Sequence, residues 1–373
     1  MFSQSNIGAL TQGRFADMWN IRTHPKSLSS DYANRQGLFL MSISMRRDRR
    51  GTFSDALILG PVLSVVLLAV VAKAALLTGA FYVLFPELAA LSYDVFTRPA
   101  GEWARSPVML AITPSVTAAL GTALTQAMVY SLWSVAMTIA GAILIIGLMR
   151  SPIMPAISAA FLPLVFGITS WWYPVSIAAV MALLALVSTI YGRILASGDV
   201  RQAPALDTVA QADEIECTPR LRTWLPILIF FAFVLVAYGL ASVTGLRLIL
   251  FPPLVMTAFE IFTNANIRPW AKRPLILPLV CTITAAVGLA ALLWFGAGPL
   301  SVVISLLVGI VTLRVLRLHF PPALTVGLLP QIMLHPDWRF VLAVALGSTA
   351  LVGAFLLARP LLLNQSAPLT HSG

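Results

Sequence analysis

Eight apolar runs divide the chain: Leu57–Phe85, Val108–Met128, Leu132–Met149, Val175–Leu195, Leu225–Thr244, Leu275–Leu293, Leu300–Leu313 and Phe340–Leu357. A helix needs about 20 apolar residues to cross the hydrocarbon layer, and these runs reach or approach that length. Lipid offers no hydrogen-bonding partner, so backbone within it must satisfy its own polar groups, and the runs are expected as helices. With 59% hydrophobic and 10% charged residues, and a mean hydropathy of +0.90, an ordinary water-soluble globule is excluded. The expected fold class is all-α, a polytopic membrane helix bundle.

The net charge of +10 is read by location. The arginines cluster in connecting loops, which is the positive-inside distribution of a membrane protein and gives no reason to expect a nucleic-acid partner. Cys217 lies in a polar linker and Cys281 in an apolar run, so neither a disulfide nor a metal pair is expected, and nothing in the sequence calls for a cofactor.

The chain also repeats itself. Under a shift of 167, Arg150 pairs with Arg317, Pro155-Ala156 with Pro322-Ala323, Leu162-Pro163 with Leu329-Pro330, Trp171 with Trp338, Pro107 with Pro274, Thr117-Ala118 with Thr284-Ala285, and Gly121 with Gly288. One residue of slippage upstream, a shift of 166, pairs Phe85-Pro86 with Phe251-Pro252 and Phe96-Thr97 with Phe262-Thr263. So long a register indicates a tandem duplication, two pseudo-symmetric repeats of about six helical elements each, including short half-helices.

The expected organisation is a basic cytosolic tail over 1–53, a first membrane repeat over 54–196, a charged cytosolic linker over 197–223, a second repeat over 224–360 and a tail over 361–373. In each repeat a long helix, the first from about Ser54 to Phe81, is followed by a short element (Pro86–Thr97; Pro252–Thr263) and a basic loop (98–105; 268–273). Two long helices, a second short element and a last helix complete it. Basic loops fall on one side only if each repeat crosses six times from a cytoplasmic N-terminus. Both termini are then cytoplasmic and the repeats parallel, whereas a re-entrant short element would invert them.

The second repeat resembles the HPP family of integral membrane proteins over about residues 250–357, with a weaker echo over 85–190. The residues concerned are Arg317–Ala323, Gly327-Leu328-Leu329-Pro330, Trp338, Phe340, Gly347 and the passage Arg273–Gly288. Plastid and cyanobacterial members of that family are associated with nitrite transport, and a membrane transporter is what the resemblance implies. In that family a histidine directly precedes the two prolines, whereas here Phe320 separates His319 from Pro321, and Cys281 stands where the family's earlier helix carries a histidine. The pattern of a basic turn before each helix pair is also loosely similar to aromatic-acid and organic-anion exporters.

Candidate site residues follow from the cost of polarity in lipid. Asp94 and Glu260 occupy matching positions in the two short elements, and an acid at membrane depth costs about 2.5–3.5 kcal/mol, which marks it as a substrate- or proton-binding candidate. Each could instead pair with its basic loop, Asp94 with Arg98 or Arg105 and Glu260 with Lys272 or Arg273. Pro155 and Pro322 open short helices whose free N–H groups could face an anion; alternatively these are plain helix starts with Arg150 and Arg317 on lipid phosphates. Lys73, whose counterpart is Gly239, could snorkel, pair with Glu87 or bind an anion. His319 and His335 are too far apart to form a motif, and His335 belongs with Asp337 and Arg339 to an outer loop.

The leading expectation is a permease for a small solute, an anion such as nitrite or a small organic acid, with its path between the repeats. No phosphate-binding loop is present to power it. An intramembrane enzyme or lipid-handling protein using Glu260, His319 and Asp94 is the alternative, and a membrane scaffold subunit the third. Expected partners are the solute, membrane lipids and, as an open alternative, further copies of the chain in a homo-oligomer.

Overall fold

The computed structural model describes residues 58–197, 224–263 and 274–364, and all regular structure among them is helical. In chain order the helices are α1 (Ile58–Thr78), α2 (Glu87–Thr97), α3 (Glu102–Arg105), α4 (Pro107–Ala127), α5 (Leu132–Met149), α6 (Ala156–Phe166) and α7 (Trp172–Ser197). There follow α8 (Leu225–Thr244), α9 (Pro252–Thr263), α10 (Ile276–Phe295), α11 (Pro299–Val315), α12 (Pro322–Leu328) and α13 (Arg339–Asn364). Seven of them, α1, α4, α5, α7, α8, α10 and α13, are long and apolar enough to span a bilayer, and α11, with 17 residues, falls just short. The expected basic tail 1–53, the linker 197–223 apart from Ser197, which ends α7, and the basic loop 268–273 lie outside the described residues.

The short helices are the centre of the structure. At 1.5 Å per residue, the 11 residues of α2 or α6 extend roughly 16 Å, about half a hydrocarbon layer. Such a helix leaves unpaired backbone groups at its ends inside the bundle, which lipid cannot satisfy, so it must be wrapped in protein. It is: every residue but the last of α2, α6 and α9, and all of α12, is buried. The long helices enclose them and turn apolar faces outward, such as Val62, Val66 and Val70 on α1 or Leu186 and Ile190 on α7. Faces of that kind suit a lipid surround.

Contacts fix how the chain runs. A Cβ on Gly60 near the start of α1 would meet the Phe96 carbonyl near the end of α2, so α1 leads away from one end of the bundle and α2 returns to it. Trp103 Nε1 donates to the Pro152 carbonyl at 3.1 Å, which brings α3 and the Arg150 turn to that same end. Gln126 Nε2, at the last turn of α4, donates to the Thr169 carbonyl beyond α6 at 2.6 Å, at the opposite end. Phe96 and Tyr191 meet edge-on with centroids 5.7 Å apart, which returns α7 to the first end. That end carries Arg98, Arg105, Arg150 and Arg193 and is called the arginine face below. Trp133, Trp171, Trp172, Trp294 and Trp338 are exposed at the opposite end.

The first apolar run does not continue to Phe85 as one helix. It stops at Thr78, Gly79 takes φ 71°, and a 3₁₀ turn over Phe81–Val83 leads the chain back inward to α2. Glycine fits there because the left-handed region is strained for any residue with a Cβ. At the other end of the chain, α13 continues through Pro360 to Asn364, beyond the boundary at 360 read from the sequence.

Local geometry recurs 166 or 167 residues apart. Gly245 takes φ 72°, as Gly79 does, and again a 3₁₀ turn follows, Arg247–Leu250. Arg150 and Arg317 are the only described non-glycine residues with positive φ, at 49° and 51°. Each closes its helix with the same pair of bonds, Arg150 N to Gly147 O and Ser151 N to Ile146 O, then Arg317 N to Arg314 O and Leu318 N to Leu313 O. Those bonds satisfy carbonyls that the helix end would otherwise orphan. A Cβ on Gly121 would stand 1.9 Å from the Ala160 carbonyl oxygen, and one on Gly288 1.9 Å from that of Gly327. These two glycines let α4 pack directly on the backbone of α6, and α10 on that of α12. Across the halves, α2 packs on α12 and α9 on α6, so each half lends one short helix to the other.

Gly121→Ala and Gly288→Ala should each destabilise by about 1–3 kcal/mol or more, since helix backbone rather than a mobile side chain stands in the way. Gly239→Ala, in open space on α8, should be neutral or slightly stabilising. Thermal unfolding in detergent reads all three, and equal midpoints would contradict the packing described.

Candidate functional site

At the arginine face a single carboxylate ties the halves together. Asp94, 1% exposed on α2, accepts from Arg98 Nε at 2.9 Å and from Arg98 Nη2, one helical turn on. Its Oδ1 also meets His319 Nε2 at 3.0 Å, in the segment between α11 and α12. The Tyr93 ring stacks on the His319 imidazole with centroids 6.1 Å apart, and Arg314 of α11 faces the Tyr93 hydroxyl. A buried carboxylate needs a cation and donors to offset desolvation, and Arg98 and His319 supply them. At residue 152, the place corresponding to His319, stands a proline, so this histidine contact is made on one side only.

At the opposite end a cavity of about 580 Å³ opens between the halves. Tyr82, Phe85, Pro86, Leu162, Phe166 and Tyr173 wall it from the first half, and Arg247, Leu248, Met333 and His335 from the second. Its surface is mostly apolar, and Thr169, Ser170, Arg247 and His335 add polar groups to the lining. The Arg247 guanidinium lies 4.9 Å above the Tyr130 ring, which is stacked on Tyr238 of α8. Resting on an aromatic face fixes the guanidinium while leaving its N–H groups in the ring plane direction free to meet an anion.

Behind the cavity wall lies Glu87, the first residue of α2. It is 1% exposed, the Ser158 hydroxyl of α6 is beside it, and yet neither Glu87 oxygen nor Ser158 Oγ makes a hydrogen bond. Tyr173, fully buried on α7, lines the cavity in front of it and donates its hydroxyl to the Ala159 carbonyl at 2.9 Å.

Of the residues singled out from the sequence, the fold brings Asp94 and His319 into contact, with Arg317 exposed two residues from His319. Asp94 takes the structural alternative, pairing with Arg98. Glu260 is buried in α9, within the other half, and Lys73 is exposed on α1. Arg150 is exposed at its turn. The proline-led starts at Pro155 and Pro322 do not face the large cavity, which touches α6 at its far end, Leu162–Phe166. Pro322 borders an apolar crevice with no room for a water molecule, beside Cys281, Phe320 and Val326. The cavity instead adjoins the start of α2. His335, in the loop before α13, lines it together with Arg247 and Tyr173, and Glu87 and Ser158 lie behind its wall. Glu87 was open to discovery as the one further acid in an apolar short element, but its isolation depends on α6 and α7, which sequence does not place. Among the described residues no three His, Cys, Asp or Glu side chains converge as metal ligands would. No protein-family model, curated protein or solved structure matches the chain.

Asp94→Asn should lower stability by about 3–5 kcal/mol, because it leaves Arg98 buried beside a neutral amide. His319→Ala, at a half-exposed position, should have a much smaller effect. Chemical unfolding in detergent gives both values; an Asp94→Asn variant as stable as wild type would remove the ion pair from its structural role.

Proposed function

We propose that the protein is a secondary transporter made of two tandem, parallel related halves, which carries a small organic anion through the seam between them. The arginine face is cytoplasmic in this reading, and the cavity opens to the other side. The arginines gathered at that end support this orientation. The recurrence of left-handed turns, helix-closing bonds and glycine contacts at one spacing supports the duplication.

The observation that carries the proposal is the cavity itself. Its volume of about 580 Å³ falls in the range of small-molecule sites, and both halves line it, as alternating access requires. Aromatic and aliphatic walls with Arg247 and His335 among the lining residues suit an anion with an apolar body better than a bare inorganic ion. A carboxylate or sulfonate would meet the guanidinium while its hydrocarbon part replaces water against Phe85, Leu162 and Phe166. Nitrite, the solute suggested by the HPP resemblance, would leave most of that surface unfilled. The Asp94–Arg98–His319 cluster then closes the cytoplasmic side, and its opening is the counterpart of cavity closure.

Uptake of labelled 4-hydroxybenzoate, benzenesulfonate and nitrite into proteoliposomes tests this. Both organic anions should enter faster than into protein-free liposomes and faster than nitrite. Arg247→Gln should lower their uptake at least tenfold, the effect of about 1.4 kcal/mol at one charged contact. Uptake no faster than into protein-free liposomes would refute the transporter reading.

A further inference from the structure

We infer that Glu87 is the proton-carrying carboxyl of this protein, loaded and unloaded through the cavity in front of it. The inference rests on the transporter reading for its purpose, but the site itself is argued from geometry. Both carboxyl oxygens are buried and unbonded. The groups around them are accounted for element by element. The Ser158 hydroxyl of α6 and the phenol of Tyr173 on α7 face the carboxyl. On α12, packed along α2, no residue is charged. Lys73 on α1 is exposed, and Asp94, Arg98 and the α3 residues Glu102 and Arg105 sit at the other end of α2. Arg247 and His335 lie on the cavity's second-half side. Among the described residues no cation therefore compensates a carboxylate here, and the group rests as the neutral acid.

The fold does not require an acid at this place. The positions corresponding to Glu87, Ser158 and Tyr173 in the second half are Pro253, Thr325 and Phe340, all buried in an equivalent packing of α9, α12 and α13. An isolated acid kept in one half and dispensed with in the other is what a proton-binding role, rather than a packing role, leaves behind. Asp94, by contrast, is committed to Arg98 and His319 and is poorly placed to exchange a proton during a cycle.

The chemistry is a simple transfer. The carboxyl O–H bond breaks, its electron pair stays on the oxygen, and the proton passes to cavity water. On reloading, water in the cavity returns a proton. One proton moving with one monovalent anion makes the cycle electroneutral, so membrane potential alone should not drive it.

Two measurements test this separately from transport itself. Infrared spectroscopy of the purified protein at neutral pH should show a protonated-carboxyl C=O band that disappears in Glu87→Gln. Should Glu87→Gln fail to fold, Ser158→Ala and Tyr173→Phe must each shift that band in frequency. A wild-type spectrum without the band, or a band unmoved by these variants, overturns the proposal. In proteoliposomes, an inward proton gradient should accelerate wild-type uptake of benzenesulfonate, which cannot cross lipid as a neutral acid, at least fivefold. Glu87→Gln should lose that acceleration; an unchanged response to the gradient also overturns the proposal. Absent uptake in wild type together with a Glu87-dependent band would refute the transporter reading and leave the proton site standing.

Discussion

Helices too short to cross a bilayer can exist at its depth only if protein surrounds them, and this requirement shapes the whole molecule. Unpaired N–H and C=O groups at the ends of α2, α6, α9 and α12 have no partner in lipid. The long helices accordingly form a sheath, and the short ones are buried on every side. Close approach is part of the same solution. Where Gly121 and Gly288 meet the carbonyls of Ala160 and Gly327, the sheath touches the core backbone directly, which larger residues would prevent. The exchange of α2 and α9 between halves then makes the seam itself out of short helices.

The seam has two unlike ends. One is held by a buried carboxylate with its arginine and a histidine from the other half, an arrangement that is strong while intact and costly to leave half made. The other is open, amphipathic and lined by both halves. Three of the pairs of positions 166 or 167 residues apart that carry unlike residues fall at these places. Pro152 stands at the position of His319, Pro253 at that of Glu87 and Phe340 at that of Tyr173.

Much of this was legible in the sequence, and the reasons are physical. Apolar runs of spanning length in lipid can only be helices, and prolines at 86, 155 and 322 marked the short elements because proline suits a helix's first turn, where its missing N–H is not needed. Asp94 stood out because charge in an apolar segment is expensive, and its pairing with Arg98 is a local, one-turn relation. The cavity was not legible. It arises where residues far apart in the chain, Tyr82, Tyr173, Arg247 and His335, converge, and no periodicity encodes that. Glu87 was visible as a residue but not as a site, because its isolation is a property of the helices around it. The proline-led helix starts were legible as boundaries, and α6 meets the cavity with its other end.

The account stands on a seam that opens alternately at its two ends. Spin-label distances in lipid nanodiscs test it most directly, with Cys217 replaced by serine and buried Cys281 retained. One label pair, Thr169→Cys with Leu334→Cys, spans the cavity mouth; the other, Arg105→Cys with Arg317→Cys, spans the arginine face. Adding benzenesulfonate should populate a shorter distance for the first pair and a longer one for the second. A single unchanged distance for both pairs, in a preparation that binds the anion, would contradict it.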